Sequence, residues 1–327
     1  MRLGTLKSLS PDGELVVISQ DNKSYAKVPD VAPNLRVAIE NWSAVHPQLE
    51  RVSKQLNDGR LDSALPFDLS LMHSPLPRAF QWADGSAFLH HVKLVRQARG
   101  AEMPPALYEV PLMYQGGSDS FLTPTEDIPQ IDFSHGTDFE GEVAVITGYV
   151  PMGATPEEAL GKILLLVMVN DVSLRGLIPE ELVNGFGFFH GKPSSAFGPV
   201  AVTPDELGSA WKNGRVHLPL NIEYNGKFFG KANAGAMHFH FGQLIAHAAK
   251  TRHLMPGTII GSGTVSNEDP TVGSSCLAEQ RMIEKINEGA IKTPFMKVGD
   301  TVKMEMRDEK GRDLFGTISQ KVSQYRK

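Results

Sequence analysis

Two carboxylates on one face of a strand that then runs on as hydrocarbon leave a chain few ways to fold. The segment Asp138-Phe139-Glu140-Gly141-Glu142-Val143-Ala144-Val145-Ile146 has this form. Side chains alternate along a strand, so Glu140 and Glu142 share a face, and the run Val143 to Ile146 reads as a strand buried on both sides. An acidic pair at this spacing is either a solvated polar face or a site where a cation turns repulsion into coordination. Solvation suits an isolated pair. Here Gly141 between the acids and the apolar continuation argue for burial, and clustered carboxylates select hard ions, Mg²⁺ or Ca²⁺ with Mn²⁺ as a further candidate, over zinc. The single cysteine, Cys276, excludes a disulfide framework and Cys-rich zinc modules and fits a reducing compartment.

Charge narrows the partners. With 37 Asp+Glu against 32 Lys+Arg the formal net charge is -5, so no basic surface dominates and nucleic acid is not expected. The N-terminus lacks a long apolar stretch, and the longest apolar run, Ile163 to Val169, is too short to span a bilayer. The expectation is a soluble, cytoplasmic protein without a membrane partner. At 327 residues and 41% hydrophobic content the chain can bury one large core or two unequal ones.

The first thirty residues read as a hairpin, Arg2 to Leu6 and Glu14 to Ser19 around Pro11-Asp12-Gly13. Apolar residues from Leu35 to Leu56 recur at helical spacing, with Pro47 marking a break or a fresh first turn, and the stretch ends at Asp58-Gly59. The proline-rich segment Leu65 to Pro77 divides a small N-terminal module, residues 1–78, from the remainder, residues 79–327. Ser86 to Gly100 reads as a helix with Phe88, Val92, Val95 and Arg99 on one side and Gly100 as its C-terminal cap. Beyond it, short β-branched runs dominate (Val143 to Ile146, Leu164 to Val169, Val216 to Tyr224, Thr258 to Ile260, Thr301 to Met306), interrupted by helical patterns at Thr155 to Lys162, Phe241 to Thr251 and Leu277 to Asn287. No regular βαβ alternation is visible. The class is therefore α+β, built on a mixed, mainly antiparallel sheet that is rolled or sandwiched.

Two further acids are candidates. Asp171 ends the apolar run Leu164 to Val169 and reads either as a metal ligand or as a turn or helix cap. Asp84 precedes the helix from Ser86, where an N-cap is its bland reading. His91, seven residues on, falls two turns along, on the same side of that helix, as a site residue or a core histidine.

The order Asp84 with His91, Tyr114-Gln115-Gly116-Gly117-Ser118, Glu140-Gly141-Glu142, Asn170-Asp171-Val172-Ser173-Leu174-Arg175, Gly191-Lys192-Pro193-Ser194, Leu254-Met255-Pro256-Gly257-Thr258 and Gly261-Ser262-Gly263-Thr264-Val265-Ser266 resembles the fumarylacetoacetate hydrolase family, over about residues 80 to 320. The resemblance implies a β-roll preceded by a small SH3-like β domain, in a homodimer. It implies Asp84, Glu140, Glu142 and Asp171 as ligands of Mg²⁺ or Ca²⁺, His91 as the base that activates water, and Glu279 as the acid that orients it. Arg175 and Lys192 match cationic groups near the oxyanion and leaving group, and Tyr114 and Thr264 match substrate contacts. The chain departs from the best-known fumarylacetoacetate hydrolases at Ile178, where they carry Gln, and at Gly117, where they carry Arg.

The implied activity is hydrolysis of a carbon–carbon bond in a 3,5-diketo acid, with fumarylacetoacetate, cleaved to fumarate and acetoacetate in tyrosine breakdown, as first candidate. Acylpyruvate or fumarylpyruvate hydrolysis, oxaloacetate decarboxylation, and 2-keto acid hydration or isomerisation are alternatives on the same fold. A non-catalytic small-acid binding protein is the alternative of another class.

Three features read as decoys. His238-Phe239-His240 with His247 lacks a third ligand spaced for zinc and reads as structural. Cys276 reads as a small side chain rather than a nucleophile. Gly185-Phe186-Gly187-Phe188-Phe189 lacks the Lys-Ser/Thr of a phosphate loop and reads as a mobile loop over the site.

Overall fold

The computed structural model describes residues 1–97 and 102–326. Its centre is the antiparallel pair Gly141–Thr147 and Ile163–Asn170, the strands with the longest apolar runs, and every residue of the first is buried. Alternation sorts their side chains onto two cores. Val143, Val145, Leu166 and Met168 join the larger cluster, while Ala144, Ile146, Leu165 and Val167 join the one that holds Leu35, Ile39 and Leu49 of helices α1 (Leu35–Glu40) and α2 (Trp42–Asn57). A strand with hydrocarbon on both faces has to be central.

The large sheet extends from this pair in both directions. On one side it continues through Ile259–Gly261 to Trp82–Gly85 and Met113–Gly116. On the other, Ala201–Val202 pairs with Arg2–Leu6, so the N-terminal hairpin is an extension of the same sheet. A second sheet (Lys227–Gly230, Leu220–Tyr224, Thr301–Met306, Ile318–Gln324 and Ile128–Gln130) packs across the larger core. Among the described residues, the named strands of these two sheets pair antiparallel except where Ile259–Gly261 meets Trp82–Gly85 and Ile318–Gln324 meets Ile128–Gln130. Gly141 sits where the sheets touch: a Cβ there would lie 2.6 Å from Ile222 Cδ1 and 2.8 Å from Leu220 Cδ2. The glycine between the two acids thus serves sheet packing.

Several sequence expectations change. Pro47 lies inside α2 rather than at a break; it and Ser43, whose carbonyl it cannot serve, are both exposed, so the missing bond falls on the solvent side of the helix. Helix α3 is Leu89–Gln97, starting three residues later than expected, because Ser86 N donates to the Leu112 carbonyl (2.8 Å) and Ala87 N to the Ser262 carbonyl (3.0 Å). Arg99 and the proposed cap Gly100 lie outside the described residues. The expected strand Val216 to Tyr224 divides into Arg215–Val216 and Leu220–Tyr224. The remaining helices are α4 (Pro156–Leu160), α5 (Ile178–Val183), α6 (Phe241–Ala248) and α7 (Leu277–Glu288). No helix among the described residues is long and apolar enough to cross a membrane.

The end of α7 carries a test of the fold. Glu284 accepts from the backbone N–H groups of Lys292 (2.7 Å) and Thr293 (2.9 Å) and from the Thr293 hydroxyl. Burial would push its carboxyl up, but these bonds overcome burial and bring the pKa from its ordinary 4.5 down to about 2. A folded-state value below the unfolded one stabilises above the ordinary pKa and is lost as pH falls through the folded one. Glu284→Gln is expected to cost about 1–3 kcal/mol at neutral pH. Urea unfolding of both proteins should show the gap closing as pH drops from near 4.5 towards 2.

Candidate active site

The acids converge where the large sheet meets α3 and α7, at a cavity of about 510 Å³. Carboxylate oxygens of Asp84, Glu142 and Asp171 lie within 4.8 Å of one another, and all three residues are buried. Asp84 is not a helix cap. It stands in the strand Trp82–Gly85, and its Oδ1 accepts from Gly263 N at 2.8 Å. Gly263 has φ +76°, and a Cβ there would meet the Gly85 carbonyl at 2.3 Å, so a side chain would break this approach. Asp171 is not a turn former either; it accepts from Tyr114 Oη (2.6 Å), Ser195 Oγ (2.7 Å) and Lys192 Nζ (2.5 Å).

Glu142 differs from both: its two oxygens are fully buried and no donor reaches either. A buried carboxylate so placed is expensive unless a cation sits against it. Burial, and then the charges of Asp84 and Asp171, push its carboxyl well up; burial and Asp171 push Asp84 up to about 8.

Glu140, the fourth acid of the expected set, stands slightly apart. Its carboxylate is held by Lys192, by Arg175 Nη2 (2.5 Å) and by the hydroxyls of Thr264 (2.7 Å) and Ser173 (3.1 Å). Burial opposes ionisation, yet the two cations bring Glu140 well below the usual carboxylate range. Lys192 is likewise kept charged, since Asp171 and Glu140 outweigh its burial.

His91, on the first turn of α3, lines the cavity, and its Nδ1 meets Glu279 Oε2 at 3.0 Å. Glu279 lies in the first turn of α7, is 1% exposed, and takes a second bond from Ser266 Oγ at 3.1 Å. A carboxylate accepts from Nδ1–H and so leaves Nε2 as the basic atom of the ring. All ten residues singled out in the sequence therefore meet in one place: Asp84, Glu140, Glu142, Asp171, His91, Glu279, Lys192, Arg175, Tyr114 and Thr264. Ile178 lines the same cavity; Gly117 does not.

Sequence reasoning passed over Asp138, Ser173 and Ser195. Asp138 accepts from Arg175 Nε (3.0 Å) and from the backbone N–H groups of Leu277 and Ala278, so it fixes Arg175 and the start of α7 together. The strand alternation that paired Glu140 with Glu142 puts Asp138 on the same face, a signal that was available. The serines carry no such signal.

The decoys find structural roles. His240 caps α6, its Nδ1 accepting from Gly242 N (3.1 Å), and His238 Nε2 meets the Tyr108 carbonyl (2.9 Å). Cys276 caps α7, and burial pushes its thiol well up, although its sulfur lies within 4.8 Å of ligand atoms of His91 and Glu140. From the glycine-aromatic segment, Phe188 enters the cavity wall.

The donor set suits a hard divalent ion. Six buried acids (Asp84, Asp138, Glu140, Glu142, Asp171, Glu279) face two permanent cations (Lys192, Arg175), and the excess charge centres on the unpartnered Glu142. Oxygen-only ligands at this density select Mg²⁺, Mn²⁺ or Ca²⁺.

Comparison with known proteins gives a consistent picture. Residues 81–323 match the family described as fumarylacetoacetate hydrolase C-terminal, and residues 1–78 match fumarylacetoacetase N-terminal domain 2. A 2,4-didehydro-3-deoxy-L-rhamnonate hydrolase of Sphingomonas sp. (strain SKA58) is 28% identical over 219 residues, 66% of this chain and 66% of that relative. A Burkholderia lata protein is 29% identical over 157 residues, 47% of this chain and 53% of its own. The chain thus matches just under two thirds of the length of the first relative and about half that of the second. Among solved structures, maleylpyruvate hydrolase from Sphingobium sp. SYK-6 with manganese(II) and pyruvate superposes with a TM-score of 0.66 at 16% identity, covering all of both chains. Fumarylacetoacetate hydrolase from Exiguobacterium antarcticum gives 0.67 at 18%, covering 99% of this chain and 100% of that one. The 5-carboxymethyl-2-hydroxymuconate delta-isomerase from Mycobacterium smegmatis gives 0.62 at 18%, with full coverage. At these identities the likeness is one of fold.

Proposed function

The chain belongs to the fumarylacetoacetate hydrolase family, and from that premise we propose that it hydrolyses a carbon–carbon bond in a β-diketo acid, of which a 2,4-diketo acid (an acylpyruvate) fits best. The reading is carried by the His91–Glu279 pair, a base held in one tautomer at the edge of an acid cluster built for a divalent ion. Asp84, Glu142 and Asp171 would hold the ion, with Glu140 beside them. When bound, the ion supplies positive charge that polarises keto oxygens.

The chain's own groups account for the proton movements. His91 Nε2 takes a proton from water as the water oxygen adds to the C4 carbonyl carbon. Collapse breaks the C3–C4 bond; its electron pair leaves as the enolate of pyruvate, and the acyl half departs as a carboxylate. The imidazolium of His91 returns its proton to the enolate carbon, which restores the neutral ring, so one water is consumed and pyruvate and a second carboxylic acid, ionised at neutral pH, result. Glu279 stabilises the imidazolium between these steps. Lys192 and Arg175 stand where negative charge develops, and a single preorganised donor there is worth on the order of 3 kcal/mol. Tyr114 and Thr264 fix Asp171 and Glu140 and reach the cavity from either side.

The 2,4-diketo class is preferred over fumarylacetoacetate, the 3,5-diketo first candidate, because Ile178 presents hydrocarbon to the cavity where those hydrolases carry Gln, and because the name of the Sphingomonas relative is that of a 2,4-diketo acid hydrolase. Protein loaded with Mn²⁺ or Mg²⁺ is expected to release pyruvate from acetylpyruvate, read by coupling to lactate dehydrogenase, and to act on fumarylacetoacetate at least tenfold less efficiently. Release of CO₂ or a shifted double bond without pyruvate overturns the reading. A cytoplasmic homodimer belongs to the same proposal, and light scattering should give twice the chain mass.

A further inference from the structure

The cavity has two chemically distinct halves. The inner half is the acid cluster with its cations. The outer half is mainly hydrocarbon: Val92 and Val95 of α3 and Ile178 and Leu182 of α5 line it, with Phe188 and Leu112. Val95 lies one helical turn beyond His91, about 6 Å along the axis. A substrate whose carbonyl is attacked beside His91 would extend its acyl substituent along this wall. We infer that the outer half is a subsite for an uncharged, apolar acyl tail, and that the enzyme selects such substrates against those ending in a carboxylate. The inference rests on the hydrolase reading for placing the keto-acid end at the acid cluster.

The wall is built rather than incidental. Phe188 holds φ at +65°, in the left-handed region that a bulky side chain rarely adopts, and such strain persists where surrounding bonds enforce it. They do so here: the Glu181 carboxylate accepts from Phe188 N (2.8 Å), His190 N (2.6 Å) and Gly191 N (3.2 Å), tying the loop to α5. The Phe188 ring then stands edge-on to Tyr114, with centroids 5.3 Å apart, and Tyr114 is bonded to Asp171. The apolar wall and the acid cluster are thus braced against each other. Leu112 and Leu182, at 51% and 47% exposed, are large hydrophobic side chains left open beside the site, as a surface awaiting an apolar ligand would be.

The two cations of the inner half are committed to the acid cluster. Lys192 and Arg175 are bonded to Asp138, Glu140 and Asp171 of the inner cluster, beside the reacting end of the substrate rather than its tail. Arg96, also on the cavity lining, gives its Nε to the Glu102 carbonyl (2.7 Å), a bond that does not neutralise it, so it is the cation that an acidic tail would have to reach. A tail carboxylate lying along the wall would be stripped of water against hydrocarbon, whereas each methylene buried there strengthens binding about fourfold.

The test uses Mn²⁺-loaded full-length protein and two keto acids of equal chain length, 2-oxohexanoate with a methyl end and 2-oxoadipate with a carboxylate end, titrated by calorimetry. Wild type is expected to bind 2-oxohexanoate at least tenfold more tightly. Leu182→Arg should shrink or reverse that ratio while pyruvate binding and Tm stay near wild type, and Ile178→Gln, a milder change at a buried position, should shrink it in the same direction. Equal binding, a preference for 2-oxoadipate, or no binding of either overturns the inference. Turnover keeps the two readings separate. Apolar preference in binding with no cleavage of any diketo acid leaves the subsite and removes the hydrolase; cleavage that favours succinylpyruvate over hexanoylpyruvate removes the subsite and leaves the hydrolase.

Discussion

His91→Gln is expected to lower kcat on the best diketo acid by about 10²- to 10⁴-fold, the usual worth of a positioned general base. The expectation follows from the different roles of the ring's two nitrogens. Nδ1 is committed to Glu279, so the proton-accepting work falls to Nε2, and glutamine offers no comparable base there. Glu279→Gln should also depress kcat, since a neutral amide cannot stabilise the imidazolium, although Ser266 still holds the side chain in place. Because the two residues act as one unit, the double variant should fall little further than His91→Gln alone. Neither change touches the oxygens of Asp84, Glu142 or Asp171, so the rise in Tm on adding Mn²⁺ should match wild type in both. A His91→Gln enzyme with wild-type kcat would remove the histidine from the chemistry. Additive losses would mean that Glu279 acts on something other than the imidazole.

What could be read from the sequence, and what could not, divides along the range of the interactions. Strand alternation and apolar runs are local, so the acidic strand and its partner Ile163–Asn170 emerge within a residue or two of their ends. The sequence brings His91 near the acids, but through the wrong geometry: the seven-residue spacing from Asp84 reads as two turns of one helix, whereas Asp84 lies in a strand and the chain turns before α3 begins. No propensity distinguishes these cases, because Asp84 is strand only by pairing with Gly261 and Tyr114, far along the chain. The same holds for Lys192, which closes on Glu140 and Asp171 across 52 and 21 residues, and for Ser195, a serine like many others until the fold brings it to Asp171. The N-terminal hairpin was legible as a hairpin; its continuation into the large sheet depends on Leu3 meeting Ala201, a pairing no local pattern encodes. Pro47 shows the opposite failure, a strong local signal overridden because its face of α2 is open to water.

Changing Glu142 to Gln should move two stability measurements in opposite directions. Without an ion, Glu142 is a buried carboxyl with no donor, facing Asp84 and Asp171, and burial and their charges resist its ionisation. An amide of the same shape removes the cost of holding that buried carboxyl either charged or protonated and can donate to either neighbour, so the ion-free variant should be more stable than ion-free wild type by about 1–3 kcal/mol, or a few degrees in Tm. With Mn²⁺ at a hundred times its dissociation constant, wild type gains about 2.7 kcal/mol by mass action, and the variant, with one anionic ligand of three gone, should lose most of that gain. The sign of the pH dependence follows. The folded-state pKa of Asp84, about 8, lies above its ordinary 3.8, so between those values the ion-free folded protein holds more protons than the unfolded chain, and its stability falls as pH rises. Protons and the ion compete for the same oxygens, so the Mn²⁺-induced rise in wild-type Tm should grow across that window and flatten above it. Scanning calorimetry of both proteins, with chelator and with Mn²⁺, reads every term. An undiminished Mn²⁺ shift in Glu142→Gln would take Glu142 out of the ligand set, and an ion-free variant less stable than wild type would mean that its buried oxygens are satisfied after all.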